Sequence, residues 1–373
     1  MKILYLINVP YGWIKQRPHF FAEYLSKDHD VTVFQQRYLH NPFKKSTQVH
    51  DEEMVSNSFR IFDYYVFSKK RFIPNIFVTI LNKTIISVLS RKVKGKYDII
   101  WFSSPMVYKR LKFLVSNAKY IVYDCMDDYL EFPETKNDSL RKELIFSEEK
   151  ELLNKASLTI FSADYLRKKV FARYNISHPY VIVNNAIEIP QIEDINISSK
   201  ICNDIKKFEK NFIYIGTISE WFDFKTILEV LNKCEDINFV LIGPRTVTIP
   251  AHPRLHYYGP VEHNRIFPIM SLAYALVMPF LVNELIRSVN PVKLYEYIYS
   301  GKPVIAVRYE ETEKFEDFVY LYNNSSDFIH IIKTIENVKP TDIYLGNCRN
   351  FVTSNTWQSR CKIINEALIN LKL

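Results

Sequence analysis

The stretch that decides the fold is residues 290–306, which read NPVKLYEYIYSGKPVIA. Pro291 is placed as the first residue of a helix, where the missing N–H of proline costs nothing. Gly301 ends that helix, and the apolar run after Pro303 is typical of a buried strand. A helix followed at once by a strand is half of the repeating unit of a parallel sheet.

The same alternation extends over the whole chain of 373 residues. Strand-like runs lie at 2–8, 30–34, 98–102, 119–124, 158–162 and 180–185, and then at 211–216, 237–243, 255–259, 274–279 and 303–307. Helical stretches between them indicate parallel sheets covered on both faces. The polar stretch 187–204 is predicted to link two domains. We therefore predict an α/β protein with domains at 1–190 and 205–355, whose last helix, 356–373, crosses back onto the first domain.

Composition excludes several classes of protein. A hydrophobic content of 47% excludes a mainly disordered chain. No uncharged apolar run reaches the length of about 18 residues that spans a membrane. The five cysteines form no C-x-x-C pair and no zinc spacing, which favours a reducing cytosol. No G-x-G-x-x-G follows any strand, which argues against a dehydrogenase.

Glycine is scarce, with seven residues where average usage of about 7% would give roughly 26. Three of them, Gly216, Gly243 and Gly259, end successive predicted strands of the second half. Ligands of open α/β sheets bind at the carboxyl ends of strands, so three glycines in series favour a binding edge there. For any single glycine, plain turn geometry is an equally good explanation.

Lys293 and Glu296 share one face of the predicted helix, in its first turn and one turn deeper. Free N–H groups at a helix start, together with an ammonium group, favour a diphosphate. A carboxylate one turn deeper can accept two hydrogen bonds from a ribose diol. The pair therefore fits a nucleoside diphosphate, although the spacing alone also fits an ordinary surface ion pair.

In series, these segments resemble the bacterial glycosyltransferases of the GT-B fold, and most closely the surface-polysaccharide enzymes such as teichuronic acid transferases and the xanthan glucuronosyltransferase. The segments that carry the resemblance are 16–19, 121–132, 161–166, 184–188, 214–224, 238–244, 255–264, 275–280 and 289–306. The resemblance implies two Rossmann-like domains that face a cleft. It also implies transfer of a sugar from a nucleotide-sugar donor, with UDP as first choice, to a lipid-linked or polysaccharide acceptor.

The resemblance assigns the donor to the second domain. The donor-binding residues that we predict are Gly216, Thr217, Ser219, Arg245, Tyr258, Ser288, Asn290, Lys293, Leu294 and Glu296. At Ser288 many relatives carry a second glutamate, which gives the E-x7-E pattern of retaining enzymes, so this departure favours inversion. Enzymes of this fold stabilise the leaving diphosphate with protein groups, and no spaced Asp-x-Asp is present. We therefore expect activity without a metal or other cofactor.

An inverting enzyme needs a general base, and Asp124, Asp127 and Asp128 follow a predicted strand at its carboxyl end. The resemblance places the catalytic aspartate at Asp127, with Asp128 as second candidate. The residues could equally cap the next segment and bind solvent. His19 is a third catalytic candidate, although a water-exposed histidine at a helix start fits equally well. The predicted acceptor-binding residues are Gly12, Trp13 and Arg17.

The net charge of +8 is concentrated in one part of the first half, because residues 61–120 hold 12 Lys and Arg against two acids. Within it, segment 69–96 has basic ends and an apolar middle. Each Lys or Arg near an anionic leaflet contributes about 1 kcal/mol. We therefore predict a cytoplasmic enzyme held peripherally at the inner face of the plasma membrane. The alternative is an amphipathic helix packed on the sheet, with a solvated charged flank.

Two other functions fit parts of the sequence. A nucleotide-sugar epimerase of the same fold would bind UDP-sugar but would need no lipid acceptor and little basic surface. A non-catalytic nucleic-acid-binding protein would use the basic stretch, yet no RNP, KH or zinc pattern is present. We therefore expect no nucleic-acid partner.

Overall fold

The computed structural model describes residues 1–12, 15–39, 59–67, 75–190, 200–337 and 340–371. The chain divides into two compact units: unit 1 is Met1–Asn184 with Arg360–Leu373, and unit 2 is Asn185–Ser359. Each unit holds one sheet in which every strand pair is parallel. The predicted α/β class is confirmed.

Unit 1 contains a seven-stranded sheet in the order β3-β2-β1-β4-β5-β6-β7. Its strands are β1 (Lys2–Ile7), β2 (Asp30–Leu39), β3 (Arg60–Phe67), β4 (Tyr97–Phe102), β5 (Ala118–Cys125), β6 (Leu158–Phe161) and β7 (Tyr180–Ile182). Its helices are α1 (Arg17–Leu25), α2 (Asn75–Leu89), α3 (Pro105–Leu111), α4 (Pro133–Lys136), α5 (Ser139–Lys155) and α6 (Asp164–Tyr174).

Local sequence explains where these elements form and end. Residues 3–7 of the central strand β1 are fully buried, as expected for a strand with helices on both faces. Helix α3 begins after Ser104, whose hydroxyl accepts a hydrogen bond from the Val107 N–H and so satisfies a free donor of the first turn. Helix α6 ends at Asn175, which adopts the left-handed conformation with a φ of 50°.

Unit 2 contains a six-stranded sheet in the order β10-β9-β8-β11-β12-β13. Its strands are β8 (Lys210–Ile215), β9 (Ile237–Ile242), β10 (Leu255–Tyr257), β11 (Ala275–Met278), β12 (Val304–Val307) and β13 (Tyr320–Tyr322). Its helices are α7 (Lys200–Ile205), α8 (Phe224–Lys233), α9 (Ile266–Ser271), α10 (Glu284–Arg287), α11 (Val292–Tyr299), α12 (Ser325–Glu336) and α13 (Asp342–Ser354).

The last helix, α14 (Trp357–Asn370), begins in unit 2 and continues into unit 1. In unit 1 the Asn365 amide donates to the Asp28 carboxylate at 2.9 Å and accepts from the His29 ring at 3.0 Å. The C-terminal segment is thus fastened to the first unit by polar contacts.

Candidate active site

The carboxyl ends of β8, β9 and β10 are joined by backbone hydrogen bonds between their loops. The Gly216 N–H donates to the Ile242 carbonyl at 2.8 Å, and the Gly243 N–H donates to the Gly259 carbonyl at 2.8 Å. The strand order of this sheet reverses between β8 and β11, and such a reversal is where ligands bind in open α/β sheets. The predicted glycine-lined edge is therefore present in unit 2.

Two of these glycines are required because no side chain would fit. A Cβ on Gly216 would lie 1.9 Å from Cε of Lys293, and a Cβ on Gly243 would lie 2.1 Å from the Gly216 carbonyl oxygen. Both also have positive φ angles, 154° and 138°, which other residues rarely adopt. The Lys293 side chain consequently passes directly over the loop that follows β8.

Lys293 and Glu296 both project from α11 at this edge. The helix begins at Val292 with Pro291 as its cap, so the prediction of Pro291 as first helical residue is one position early. Burial lowers the pKa of Lys293, and the neighbouring Glu296 opposes that shift. Burial also raises the pKa of Glu296 to about 7, which Lys293 opposes. Both shifts reflect charged groups placed in a confined site without full solvation.

These two side chains do not form the ordinary ion pair that their spacing also allowed. Neither Lys293 nor Glu296 has a hydrogen bond or ion pair with another of the described residues. The ammonium nitrogen instead lies 5.9 Å from the centre of the Tyr214 ring. A cation and a carboxylate are therefore both available to a ligand at this edge.

The loops after β8 and β9 bring further predicted donor residues together. The Ser219 and Thr246 hydroxyls are 2.6 Å apart, and the Thr217 carbonyl accepts from the Tyr214 hydroxyl at 2.7 Å. The exposed guanidinium of Arg245 lies 5.1 Å from the centre of the Tyr257 ring. Sequence reasoning missed both tyrosines, although each stands in a strand two residues before a predicted glycine.

Tyr258, also a predicted donor residue, is half-buried, and its N–H donates to the Leu241 carbonyl at 3.1 Å. Its position next to Gly259 is therefore fixed by the sheet.

Three other predicted donor residues have buried side chains that are already engaged. Ser288 donates to a backbone carbonyl four residues earlier, and Leu294 is fully buried in the core. The Asn290 amide donates to Glu311 at 3.1 Å, and its oxygen accepts from the Asn185 N–H at 3.0 Å. All three side chains are buried within unit 2, and their roles in donor binding stay predictions.

The three aspartates at the carboxyl end of β5, one in its last residues and two just after it, have different surroundings in unit 1. The Asp124 carboxylate is buried and accepts from Nε and Nη2 of Arg17 at 3.1 and 2.9 Å. The Asp128 carboxylate is also buried and pairs with Arg173 at 2.6 Å and Lys169 at 3.1 Å. Asp128 is thus paired with two cations, and its role as the second candidate for the base stays a prediction.

Asp127 lies between these two pairs and has no hydrogen-bond or ion-pair partner among the residues that the structure describes. Burial raises its pKa to about 6, a shift that Arg17 opposes and that Asp124 and Asp128 reinforce. A carboxylate with a pKa near the working pH, and with both oxygens free, has the properties of a general base.

Arg17, a predicted acceptor contact, and His19, the third catalytic candidate, are both buried within unit 1, and their functional roles stay predictions. Arg17 is only 5% exposed. Besides its bonds to Asp124, its Nη1 donates to the Val183 carbonyl at 2.6 Å. His19 is buried: its Nε2–H donates to the Val9 carbonyl and its Nδ1 accepts from the Gln16 N–H, both at 3.0 Å. Burial lowers the pKa of His19 to about 4. The alternative of a water-exposed histidine is wrong, because His19 is only 1% exposed.

The loop after β1, where the acceptor was predicted, is held by side chains that sequence reasoning missed. The Tyr11 N–H donates to Gln35, and the Gln35 amide donates to Asp63 at 2.6 Å. Arg37 also pairs with Asp63, at 2.7 Å. Gly12, with a φ of 111°, has nothing within 4 Å of its Cβ position. Trp13 lies outside the described residues.

No group of three or more His, Cys, Asp or Glu side chains that could hold a metal is found in the described parts of the chain. Likewise, none of the helices within those parts is long and apolar enough to cross a membrane. Of the predicted membrane segment 69–96, residues 69–74 lie outside the described residues.

Comparison with known proteins gives one sequence relative and many related structures. No protein-family model matches the chain. The chain is 24% identical over 279 residues to TuaH of Bacillus subtilis, a proposed teichuronic acid biosynthesis glycosyltransferase, with 70% of each chain covered. Among solved structures it is similar to Anabaena HepE in complex with UDP-glucose, at a TM-score of 0.70 and 15% identity over 99% of this chain and 100% of that one.

A second structure is similar over its whole length. It is sucrose-phosphate synthase from Thermosynechococcus elongatus, at a TM-score of 0.69 and 13% identity over 100% of this chain and 99% of that one. The similarity to these solved structures shows that the chain has the GT-B fold. The sequence relative supports an enzyme of the glycosyltransferase class, and the predicted resemblance to the glycosyltransferases of this fold is confirmed.

Proposed function

We propose that the chain transfers a sugar from a UDP-sugar to a lipid-linked or polysaccharide acceptor, in the synthesis of a cell-surface polysaccharide such as a capsule. The observation that carries the donor part is the unpaired Lys293 and Glu296 beside the Gly216 loop. A cation one helical turn from a carboxylate matches a diphosphate joined to a ribose. The choice of UDP is supported by HepE, which was solved with UDP-glucose.

In this proposal the departing diphosphate is stabilised by protein groups. The Lys293 ammonium, the N–H groups at the start of α11 and the loop 216–219 share its developing charge. Glu296 accepts hydrogen bonds from the ribose hydroxyls. We propose that no metal ion takes part: turnover should survive treatment with a chelator, and complete loss that Mg²⁺ or Mn²⁺ restores would contradict this.

Asp127 is the proposed general base, which takes the proton of the acceptor hydroxyl as the new bond forms at the anomeric carbon. Attack opposite to the leaving diphosphate inverts the anomeric configuration. The test is the NMR coupling of the anomeric proton in the first-formed product. Retention of the donor configuration would reject both inversion and this role for Asp127.

The proposed donor site can be tested by binding alone. A ligand that binds only the folded protein raises its melting temperature, so UDP should do so, and GDP, CMP and dTDP should not. Lys293→Met should lose the shift with UDP, whereas Lys225→Met, whose side chain is 86% exposed, should keep it. An equal shift in both variants would show that UDP binds elsewhere.

The proposed place of action is the inner face of the plasma membrane, reached through the basic segment 69–96. Its described part, residues 75–96, contains five basic and no acidic residues. An enzyme at that surface would meet lipid-linked acceptors directly.

A further inference from the structure

Helix α2 lies beside the edge strand β3 of unit 1, and only one side of the helix packs against the rest of that unit. Val78 and Ile86 are buried, 7% and 4% exposed. Asn82 fastens the middle of the helix to the end of the edge strand β3, because its amide accepts from the Phe67 N–H at 2.8 Å and donates to the Phe67 carbonyl at 3.2 Å. The helix is thus firmly seated, and its position does not depend on its outer side.

The outer side of α2 is apolar. At 100° per residue, its exposed apolar side chains span an arc of about 140° on the side opposite to Asn82, which lies between Val78 and Ile86 on the helix. They are Ile76 (66% exposed), Phe77 (63%), Ile80 (56%), Leu81 (44%) and Val88 (51%), which we call the apolar face. Five large exposed apolar side chains on one helix form a contiguous patch of the kind that marks an interaction site.

One basic side chain, Lys83, lies on α2 itself, and four more follow the C-terminal end of the helix. Residues 75–97 contain no acid, and the exposed cations in this range are Lys83, Arg91, Lys92, Lys94 and Lys96. None of these five has an ion-pair partner among the described residues. An exposed apolar helical face with basic side chains beside it is typical of a helix that lies in the interface of an anionic bilayer.

We infer that α2 docks the protein on anionic lipid by inserting its apolar face among the acyl chains, while the five cations contact the headgroups. This deepens the proposed membrane location, on which it rests, by naming the element and the mode of attachment. A second copy of the chain is the less suitable occupant. A symmetric dimer through α2 would bring the same cations of both copies together, and like charges across an interface oppose binding.

Insertion and simple electrostatic adhesion respond differently to salt. Contacts between exposed charges weaken as the Debye length falls from about 10 Å at 0.1 M to about 3 Å at 1 M salt. Burial of apolar side chains in the bilayer is not screened in this way. If the apolar face inserts, a substantial part of the binding should persist at 1 M NaCl.

The test is co-sedimentation of the full chain with vesicles of phosphatidylcholine alone or of phosphatidylcholine with phosphatidylglycerol. The wild type should prefer the anionic vesicles and stay partly bound at 1 M NaCl. Phe77→Ser/Ile80→Ser should lower binding at least tenfold at both salt concentrations. The matched control is Leu140→Ser/Ile343→Ser, which removes two side chains that are 78% and 77% exposed elsewhere, and it should bind as the wild type does.

Two further measurements make each outcome decisive. The melting temperature of Phe77→Ser/Ile80→Ser should equal that of the wild type, because exposed side chains contribute little to folding. A large fall would show that the face is covered within the chain, and a wild-type dimer that this variant dissociates would show a second copy as occupant. Either result, or binding that 1 M NaCl abolishes, overturns the inference. The proposed sugar transfer is assayed separately with a soluble acceptor, so its failure would be recognised independently.

Discussion

Asp127→Asn replaces a carboxylate that has no partner among the described residues with an isosteric amide that cannot accept a proton from a hydroxyl. The pKa of Asp127 is about 6, so at pH 7 about ten molecules are ionised for each protonated one. Nearly all of the wild-type enzyme is therefore competent as a base at neutral pH. Loss of a general base lowers the rate by about 10² to 10⁴, or about 2.7 to 5.5 kcal/mol of barrier.

The assay is the initial rate of sugar transfer between pH 5 and pH 8, with donor binding measured in parallel by thermal shift. In the wild type the rate should fall about tenfold for each pH unit below 6, because only ionised Asp127 acts as base. Asp127→Asn should transfer at least about a hundred times more slowly at pH 7 and should lose that dependence. Its donor binding should be unchanged.

The matched control is Asp138→Asn in the same unit. Asp138 caps α5 through a hydrogen bond from the Arg141 N–H, a role that asparagine fills about equally well. This variant should keep both the rate and its pH dependence. Near-normal turnover by Asp127→Asn, or an acid limb that remains in that variant, would refute the assignment.

Three other variants test the donor edge and the core of unit 1. Glu296 has a pKa of about 7, so its carboxyl group becomes ionised between pH 6 and pH 8. Calorimetry should therefore show about tenfold tighter binding of UDP-glucose at pH 8 than at pH 6, and Glu296→Gln should show no such change. Gly216→Ala should weaken donor binding at least about tenfold, because its Cβ would displace Lys293, whereas Gly346→Ala, with nothing within 4 Å, should not. The pKa of His19 is about 4 in the folded chain and about 6.5 in the unfolded chain. As the pH falls from 7 to 5, the His19 ring is therefore protonated in the unfolded chain and stays neutral in the folded one. Urea unfolding should therefore show about 2 kcal/mol less stability from His19 at pH 5 than at pH 7, a difference that His19→Gln should lack.

Most of the fold could be predicted because buried parallel strands are continuous apolar runs. The strand predicted at 2–8 is β1, and the one at 237–243 is β9. Strand β3 was missed because it is an edge strand of its sheet in which only Tyr64 and Val66 are buried, with Asp63 in its middle. Strand β13 (Tyr320–Tyr322), an edge strand of the second sheet with only Tyr322 buried, was missed as well. A strand at the edge of a sheet is only partly buried, so its sequence lacks the continuous apolar run that identifies a central parallel strand.

At the proposed donor site, the sequence predicts the arrangement of residues only where they are close together in the chain. Lys293 and Glu296 share a helical face, and that relation follows from their spacing alone. Asn290 stands in the same motif, but its partners, Asn185 and Glu311, are 105 and 21 residues away. Which side of a motif faces the core depends on such distant partners, and the sequence of the motif does not contain them.

The three aspartates at the carboxyl end of β5 show the same limit at the proposed catalytic residue. In the sequence they are near neighbours of one kind, and the structure distinguishes them by cations from other helices: Arg17 of α1 engages Asp124, and Arg173 of α6 engages Asp128. Only Asp127 is left without a cation in contact, so burial and two anionic neighbours raise its pKa towards neutrality. Arg17, predicted as an acceptor contact, and Asp128, predicted as a second base, each belong to one of the two ion pairs that flank Asp127. Because those pairs engage the neighbouring carboxylates, the Asp127 carboxylate remains free for the proton transfer that we propose.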